Sequence, residues 1–351
     1  MAAQDDQEIK KRALILGVTG QDGSYLAEFL LKKNYEVHGM YRKSATGNLK
    51  NIEHILNRIN LHRGDLGDMS SLYRIIAEVK PAEIYNEADQ DHVGWSNDSP
   101  LYSHDITTGG PIRVLEIIRQ TNPSIKFFQP LSSNMFGELS ENEATQNEKT
   151  PLNPVSPYAC AKTAAHHWVS YYRNVHNIFA PTGIFFNHES PRRTEDYVTR
   201  KITKAVAKIS QGLQDKLCLG NIGNPKIDWG FSPEFMKTAW EIMQLKKPDD
   251  FVIGTGETHS VKEFAEAAFN FVGIPIGWKG QGINEVGYNK ETGREIVKIN
   301  PDFFRPSNTA SLKADSRKAR EAFGFNPRYK FIEIVEMMVA HDLEDIKNNG
   351  K

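Results

Sequence analysis

The sequence predicts an α/β protein, a doubly wound parallel sheet with a smaller C-terminal α/β domain, and three observations lead to it. Short apolar runs alternate with helical stretches through the first half of the chain. A glycine-rich turn joins the first run to the first helix. Beyond Asn187 this alternation loosens into Pro- and Arg-containing segments. The strand-like runs lie at 12–17, 35–41, 83–86, 125–129 and 180–186, and the helical stretches near 24–33, 69–79, 110–120 and 157–175. A later strand is expected at Phe251-Val252-Ile253-Gly254. Ser260 and Glu263 have the spacing of a capping box, which opens a helix from Val261 to Phe271. The last helix, about Tyr329 to Lys347, presents Ile332, Ile334, Val335, Met338 and Leu343 on an apolar face.

Composition narrows the function classes. A chain of 351 residues can bury a large core as one large domain or two closely joined ones. The net charge of −1, with acids and bases balanced, carries no nucleic-acid footprint. There is no apolar run long enough for a membrane span and no apolar N-terminal segment resembling a signal peptide. Met1 to Lys11 reads as a polar, frayed tail. Two cysteines, Cys160 and Cys218, without metal-ligand spacing, fit a reducing cytoplasm. His166 and His167 are adjacent, so on a helix they point to different sides and make a poor metal pair.

The first motif is a phosphate-binding turn. Arg12 to Gly17 reads as a buried strand, and Gly17-Val18-Thr19-Gly20-Gln21-Asp22-Gly23-Ser24 leads into the helical run Tyr25 to Leu31. Glycines spaced three apart allow a tight turn and let a pyrophosphate approach the helix N-terminus, where N–H groups and the helix dipole favour negative charge. Strand, turn and helix stand in the order the motif requires. At the end of the second strand a bare ribose calls for an acidic residue and a 2′-phosphate for an arginine. Arg42 and Lys43 stand there and point to NADP. Asp65, in Arg63-Gly64-Asp65-Leu66, is placed to meet the adenine. The expected organisation is a dinucleotide-binding Rossmann domain over 1–187, with a return of the chain near 225–256, and a mainly substrate-binding domain over 188–351.

The second motif is Tyr158 with Lys162, in Ser156-Pro157-Tyr158-Ala159-Cys160-Ala161-Lys162. Residues four apart share one helix face. An ammonium held there favours the phenolate, so Tyr158 is expected to have its pKa drawn toward neutrality and to remove a proton from an alcohol as hydride leaves the same carbon.

These motifs, with Phe185-Phe186-Asn187-His188-Glu189-Ser190-Pro191-Arg192-Arg193, resemble the GDP-mannose 4,6-dehydratase family of extended short-chain dehydrogenase/reductases. Further matches are Val198 to Ile202, Leu219-Gly220-Asn221, Asp228-Trp229-Gly230 and Phe304-Arg305-Pro306. The resemblance implies a three-step reaction on a nucleotide-linked sugar. Tyr158 takes the C4 hydroxyl proton as NADP accepts the C4 hydride; a carboxylate removes the C5 proton and water leaves from C6; hydride then returns at C6. It also implies that Ser132 hydrogen-bonds the C4 oxygen, and that His188 and Arg193 stand near the cofactor with Gly17, Gly20, Gln21, Asp22, Gly23, Asp65 and Leu66. Asn187, Val198, Lys201, Gly220 and Arg305 match positions that bind the guanosine diphosphate. The relatives form dimers or tetramers, so a homodimer or homotetramer is expected.

Departures from that pattern gather around the same chemistry. Leu131-Ser132-Ser133-Asn134-Met135-Phe136-Gly137 carries Asn134 where the family has its glutamate base. A carboxamide accepts no proton near neutrality, and losing a general base costs roughly 10²–10⁴ in rate. Glu138 is a conceivable substitute beyond the strand end. Asn86-Glu87-Ala88-Asp89-Gln90-Asp91-His92 stands where relatives read Asn-Leu-Ala-Ala-Gln-Ser-His, adding three carboxylates that either approach the cofactor or face solvent. Ile227 replaces an arginine for the diphosphate, Asn308 a glutamate for the ribose, and Thr107 and Pro111 break the pattern of the preceding helix. Three readings stay open: a dehydratase with another C5 base, a C4 epimerase or oxidoreductase acting on a GDP-sugar, and a catalytically silent binder.

Overall fold

The computed structural model describes residues 10–137, 145–223, 226–301 and 312–349. In chain order the elements are β1 (Arg12–Leu16), α1 (Gln21–Lys32), β2 (Glu36–Tyr41), β3 (Asn60–Arg63), α2 (Met69–Val79), β4 (Glu83–Asn86), α3 (Val93–Asp98), α4 (Pro100–His104), α5 (Gly110–Thr121), β5 (Lys126–Ser132), α6 (Pro157–His176), β6 (Thr182–Phe185), β7 (Asn187–Glu189), α7 (Val198–Ser210), β8 (Leu217–Leu219), β9 (Trp229–Phe231), α8 (Ser232–Met243), β10 (Asp250–Ile253), α9 (Val261–Phe271), β11 (Ile276–Lys279), β12 (Val286–Asn289), β13 (Glu295–Ile299), α10 (Arg317–Phe323) and α11 (Phe331–Asn349).

Seven strands form one sheet in the order β10-β6-β5-β4-β1-β2-β3. The order reverses between β1 and β4, the switch point of a doubly wound fold, where such sheets open a crevice at the strand carboxyl ends. β1 pairs in parallel with both β2 and β4, and β4 with β5. This is the α/β architecture that the alternation of runs predicts. The central strands β1 and β4 are buried on both faces, as helices on both sides require, so β1 (Ala13 to Leu16) reads as an apolar run rather than an alternation, whereas β4 buries Glu83 and Asn86 along with Ile84 and Tyr85.

Two compact units share the chain. The first comprises Met1–Met135, Pro154–Ile184 and Met236–Asp250, and the second Phe136–Asn153, Phe185–Phe235 and Phe251–Lys351. The core of the first packs Leu14, Leu16, Leu72, Ile76, Ile84, Val114, Leu115 and Phe127 together. The second has its own core, in which Phe264, Phe269, Val335 and Met338 are wholly shielded or nearly so, and its own sheet in the order β11-β12-β13-β8. The capping box opens α9 as expected, with Ser260 accepting from Glu263 N and Glu263 from Ser260 N.

Several local features follow from single residues. α6 starts where Ser156 caps it, accepting from Ala159 N at 3.1 Å, and Pro157 occupies the first turn, where its missing N–H costs nothing. Asp68 caps α2 through Ser70 N and Ser71 N. Between α4 and α5 the helix widens into a π turn over Asp105–Gly109. Pro111 lies four residues beyond Thr107 and has no N–H for that carbonyl, so the regular ladder cannot continue there. The frayed-tail expectation needs correction at Lys11, which pairs with the fully buried Glu83; residues 1–9 lie outside the described chain. Among the described residues no helix is long and apolar enough to cross a membrane.

Candidate active site

The register of the sheet brings two sequence motifs side by side. Leu16 and Asn86 are partners across β1 and β4, so the chain leaves both strands together. A Cβ on Gly17, whose φ is +81°, would lie 2.6 Å from Glu87 O. One on Gly23 would lie 2.3 Å from Gly17 O. The turn therefore demands glycine at both places. Gly20 is the N-cap of α1 and supplies no side-chain cap, which leaves the first-turn N–H groups directed at an approaching anion. Asp22 sits in that first turn, and Gln21 Nε2 donates to it at 3.2 Å.

Tyr158 and Lys162 share one face of α6, with the Lys162 Nζ 5.8 Å from the Tyr158 ring centroid. Lys162 is 4% exposed, donates to Pro130 O at 2.9 Å and faces Asp89 Oδ2 at 2.6 Å. Asp89 is braced in turn: Thr107 Oγ1 donates to its Oδ1 at 2.5 Å, and Gln90 N at 2.8 Å. Ser132 ends β5, and its Oγ accepts from Asn134 N at 3.2 Å, which places Asn134 in the turn directly after it.

Electrostatics here depart from the sequence expectation. Burial pushes the Tyr158 phenol up to about 12; Lys162 opposes this, Asp89 and Asp91 reinforce it, and the Ser132 hydrogen bond opposes it again. The phenol is therefore not tuned toward neutrality: burial outweighs the pull of Lys162, and Asp89, which pairs with that ammonium, adds to the rise. For Lys162, burial disfavours the cation, but Asp89, then Tyr158, outweigh it and raise the pKa. Burial pushes Glu87 up to about 8, with Asp22 adding to the effect and Lys162 opposing it. Glu87 Oε1 is shut off from solvent without a hydrogen-bond partner, a cost that a protonated carboxyl lowers. The three added carboxylates thus take different places: Asp89 turns inward, Glu87 is partly buried, and Asp91 is exposed.

The other named residues fall into groups. Arg42 and Lys43 are exposed just past β2, and Arg42 Nη1 donates to Tyr102 OH at 2.8 Å. Asp65 uses its carboxylate to hold Gly67 N at 2.8 Å, while the Leu66 side chain lies in the core. All of these, with the glycine turn, Ser132, Asn134, Tyr158 and Lys162, belong to the first unit. Asn187, His188, Arg193, Val198, Lys201 and Gly220 belong to the second. His188 stacks on Phe235 at 4.6 Å and uses Nδ1 on Phe186 O at 2.8 Å, and the Arg193 guanidinium lies 3.5 Å from the Tyr197 ring centroid. Val198 opens α7 and Lys201 lies exposed on its next turn; Gly220 follows β8. Ile227 exchanges backbone hydrogen bonds with His259 and packs on the second core, so the side chain that replaces an arginine has become a packing residue. Arg305, Asn308 and Glu138 lie outside the described residues. Sequence reading flagged Asp89 and Thr107 separately but missed that they are one assembly; a new acid and a new hydroxyl in the same motif region were the available signal.

The family model for GDP-mannose 4,6 dehydratase matches residues 14–338. The chain belongs to the GDP-mannose 4,6-dehydratase family. Within that family it is 46% identical over 349 residues to the GDP-mannose 4,6 dehydratase of Drosophila melanogaster, covering 97% of this chain and 88% of that protein. It is 44% identical over 347 residues to the human GDP-mannose 4,6 dehydratase, covering 96% and 92%. Among solved structures, dTDP-glucose 4,6-dehydratase from Bacillus anthracis, in complex with NAD, superposes with a TM-score of 0.79 at 18% identity, over 96% of this chain and 98% of that one. At that identity the structural match speaks for the fold. The family assignment bears out the resemblance read from the Tyr158, Lys162 and Asn187–Arg193 motifs.

Proposed function

We propose that the protein is an NADP-dependent dehydratase acting on GDP-mannose. The observation that carries this reading is the convergence of Tyr158, Lys162 and Ser132 at the ends of β5 and α6, in a chain 42–46% identical to GDP-mannose 4,6-dehydratases over nearly its full length. The Gly17–Gly23 turn and the uncapped start of α1 fit a dinucleotide pyrophosphate, because glycine at both ends lets the backbone close into a tight turn at the helix N-terminus, where a Cβ would clash with neighbouring main chain. When bound, that cofactor supplies the hydride acceptor for C4 and the donor for C6. Arg42 and Lys43 provide the positive charge that a 2′-phosphate calls for.

The chain's own residues do the proton work. Tyr158 accepts the C4 hydroxyl proton, and Ser132 holds the C4 oxygen. Once C4 is a ketone, the C5 proton is acidic and needs a base before water leaves from C6. Asn134 occupies the base position and is neutral, so the elimination step is the weakened one. Asn187, Val198, Lys201 and Gly220 match the family positions for guanosine diphosphate.

Asn134 also favours a second reading, in which the 4-keto sugar takes its hydride back on the other face and the protein is a C4 epimerase. Mass spectrometry of GDP-mannose incubated with the protein and NADP separates the two. Loss of one water supports dehydration; unchanged mass with a new C4 configuration by proton NMR supports epimerisation. Untouched substrate would overturn both for this sugar.

A further inference from the structure

We propose that Asp89, braced by Thr107, is a positioning residue that acts as the counter-ion of Lys162 and offsets its charge at the Tyr158 phenol. The inference rests on the reading of Tyr158 as the proton acceptor at C4, and it assigns to this chain a brake on that proton transfer. Its basis is a connected set of contacts. Pro111 breaks the helix ladder at Thr107, the π turn at Asp105–Gly109 results, and Thr107 Oγ1 reaches Asp89 Oδ1 at 2.5 Å. The other carboxylate oxygen of Asp89 stands 2.6 Å from Lys162 Nζ. With Lys162 4% and Asp89 14% exposed, the pair is little screened by solvent. Three positions that depart from the family pattern one by one (Asp89, Thr107 and Pro111) thus form one device.

The charged and titratable groups facing Tyr158 come from every neighbouring element. Lys162 lies on α6, Asp89 and Asp91 on the segment after β4, and Ser132 at the end of β5. Lys162 faces Asp89, Asp91 and Tyr158, and Glu87 faces Lys162 and Asp22. Burial pushes the phenol up, with Asp89 and Asp91 adding to it; Lys162 and then the Ser132 hydrogen bond draw it down. Removing Asp89 does not strand the ammonium, which keeps Pro130 O at 2.9 Å.

The test reads the phenol itself and needs no substrate. The near-ultraviolet phenolate band is titrated in the wild type, Asp89→Ala, Asp89→Asn and Thr107→Val, each corrected by the same protein carrying Tyr158→Phe. Circular dichroism checks that each variant is folded. The proposal expects the Tyr158 midpoint to fall by about one pH unit or more in both Asp89 variants, as removal of a like charge and release of an opposite one requires, and by less in Thr107→Val. In turnover with GDP-mannose and NADP, the alkaline rise of kcat/KM should move down in pH by the same amount. An unmoved midpoint in folded Asp89→Asn overturns the proposal, even if its unfolding midpoint changes, since a merely structural Asp89 would do only the latter. A midpoint that falls in protein that yields no product at any pH supports the counter-ion role and removes the proposed reaction instead.

Discussion

Thr107 donates its hydroxyl to Asp89 across 2.5 Å, joining the π turn through that carboxylate to the lysine of the Tyr158–Lys162 pair. Together they place a carboxylate where it competes with the tyrosine for the same ammonium.

If Tyr158 accepts the C4 proton, Tyr158→Phe lowers kcat/KM by roughly 10²–10⁴ and leaves dinucleotide affinity close to wild type. Steady-state kinetics and fluorescence titration with NADPH check the two halves separately. A variant that keeps full activity would assign the proton to another group.

Replacing the carboxamide at the family's base position restores a titratable group. Asn134→Glu should raise the rate of water loss from GDP-mannose by up to roughly 10²–10⁴, read as the yield of the lighter product. If that yield stays flat while the 4-keto sugar accumulates, the base for C5 lies elsewhere in the chain.

Glu87 makes the glycine-turn region sensitive to pH. Its carboxyl is pushed up to about 8, first by burial and then by Asp22, so it is neutral at pH 7 and charged above that midpoint. The folded value lies above the unfolded one, so the stability it contributes is full below the ordinary value of 4.5, falls as pH rises from there, and is gone once pH passes about 8. Thermal midpoints of the wild type should therefore decline across that range, and those of Glu87→Gln should decline less. Calorimetric affinity for NADP should weaken around pH 8 in the wild type alone, because an anion beside Asp22 repels the pyrophosphate.

Asp250 works in the opposite sense, away from the chemistry. It accepts from Arg173 Nη1 at 2.7 Å and Nη2 at 2.9 Å and from Thr182 Oγ1 at 2.7 Å, with His166 Nε2 at 3.1 Å. Burial opposes its ionisation, but the His166 and Arg173 contacts outweigh burial and hold the carboxyl well below the usual range. Its stabilisation is present above the ordinary carboxylate pKa and lost as pH falls through the depressed folded value. Asp250→Asn should cost roughly 3–5 kcal/mol in denaturant unfolding, since it leaves the Arg173 guanidinium half-buried without its counter-charge, with only Ala180 O and Ser170 Oγ to accept from it.

Local pattern was enough to determine the alternation of strands and helices, the glycine turn, the Tyr158–Lys162 face and the Ser260–Glu263 capping box, because each depends on residues within a turn or two of one another. The family could be read from the same short motifs. Only the tertiary structure decided what surrounds them. β3 (Asn60–Arg63) carries little apolar signal and is a strand because β2 offers it an edge. Leu16 and Asn86 are 70 positions apart, and their register is what sets Glu87 against Gly17. The raised pKa of Tyr158 comes first from its burial and then from groups such as Asp89, which approaches Lys162 from another segment with Thr107 behind it. A pKa answers to burial and to every charge within a few ångströms, and those distances come into being only when the sheet and its helices assemble.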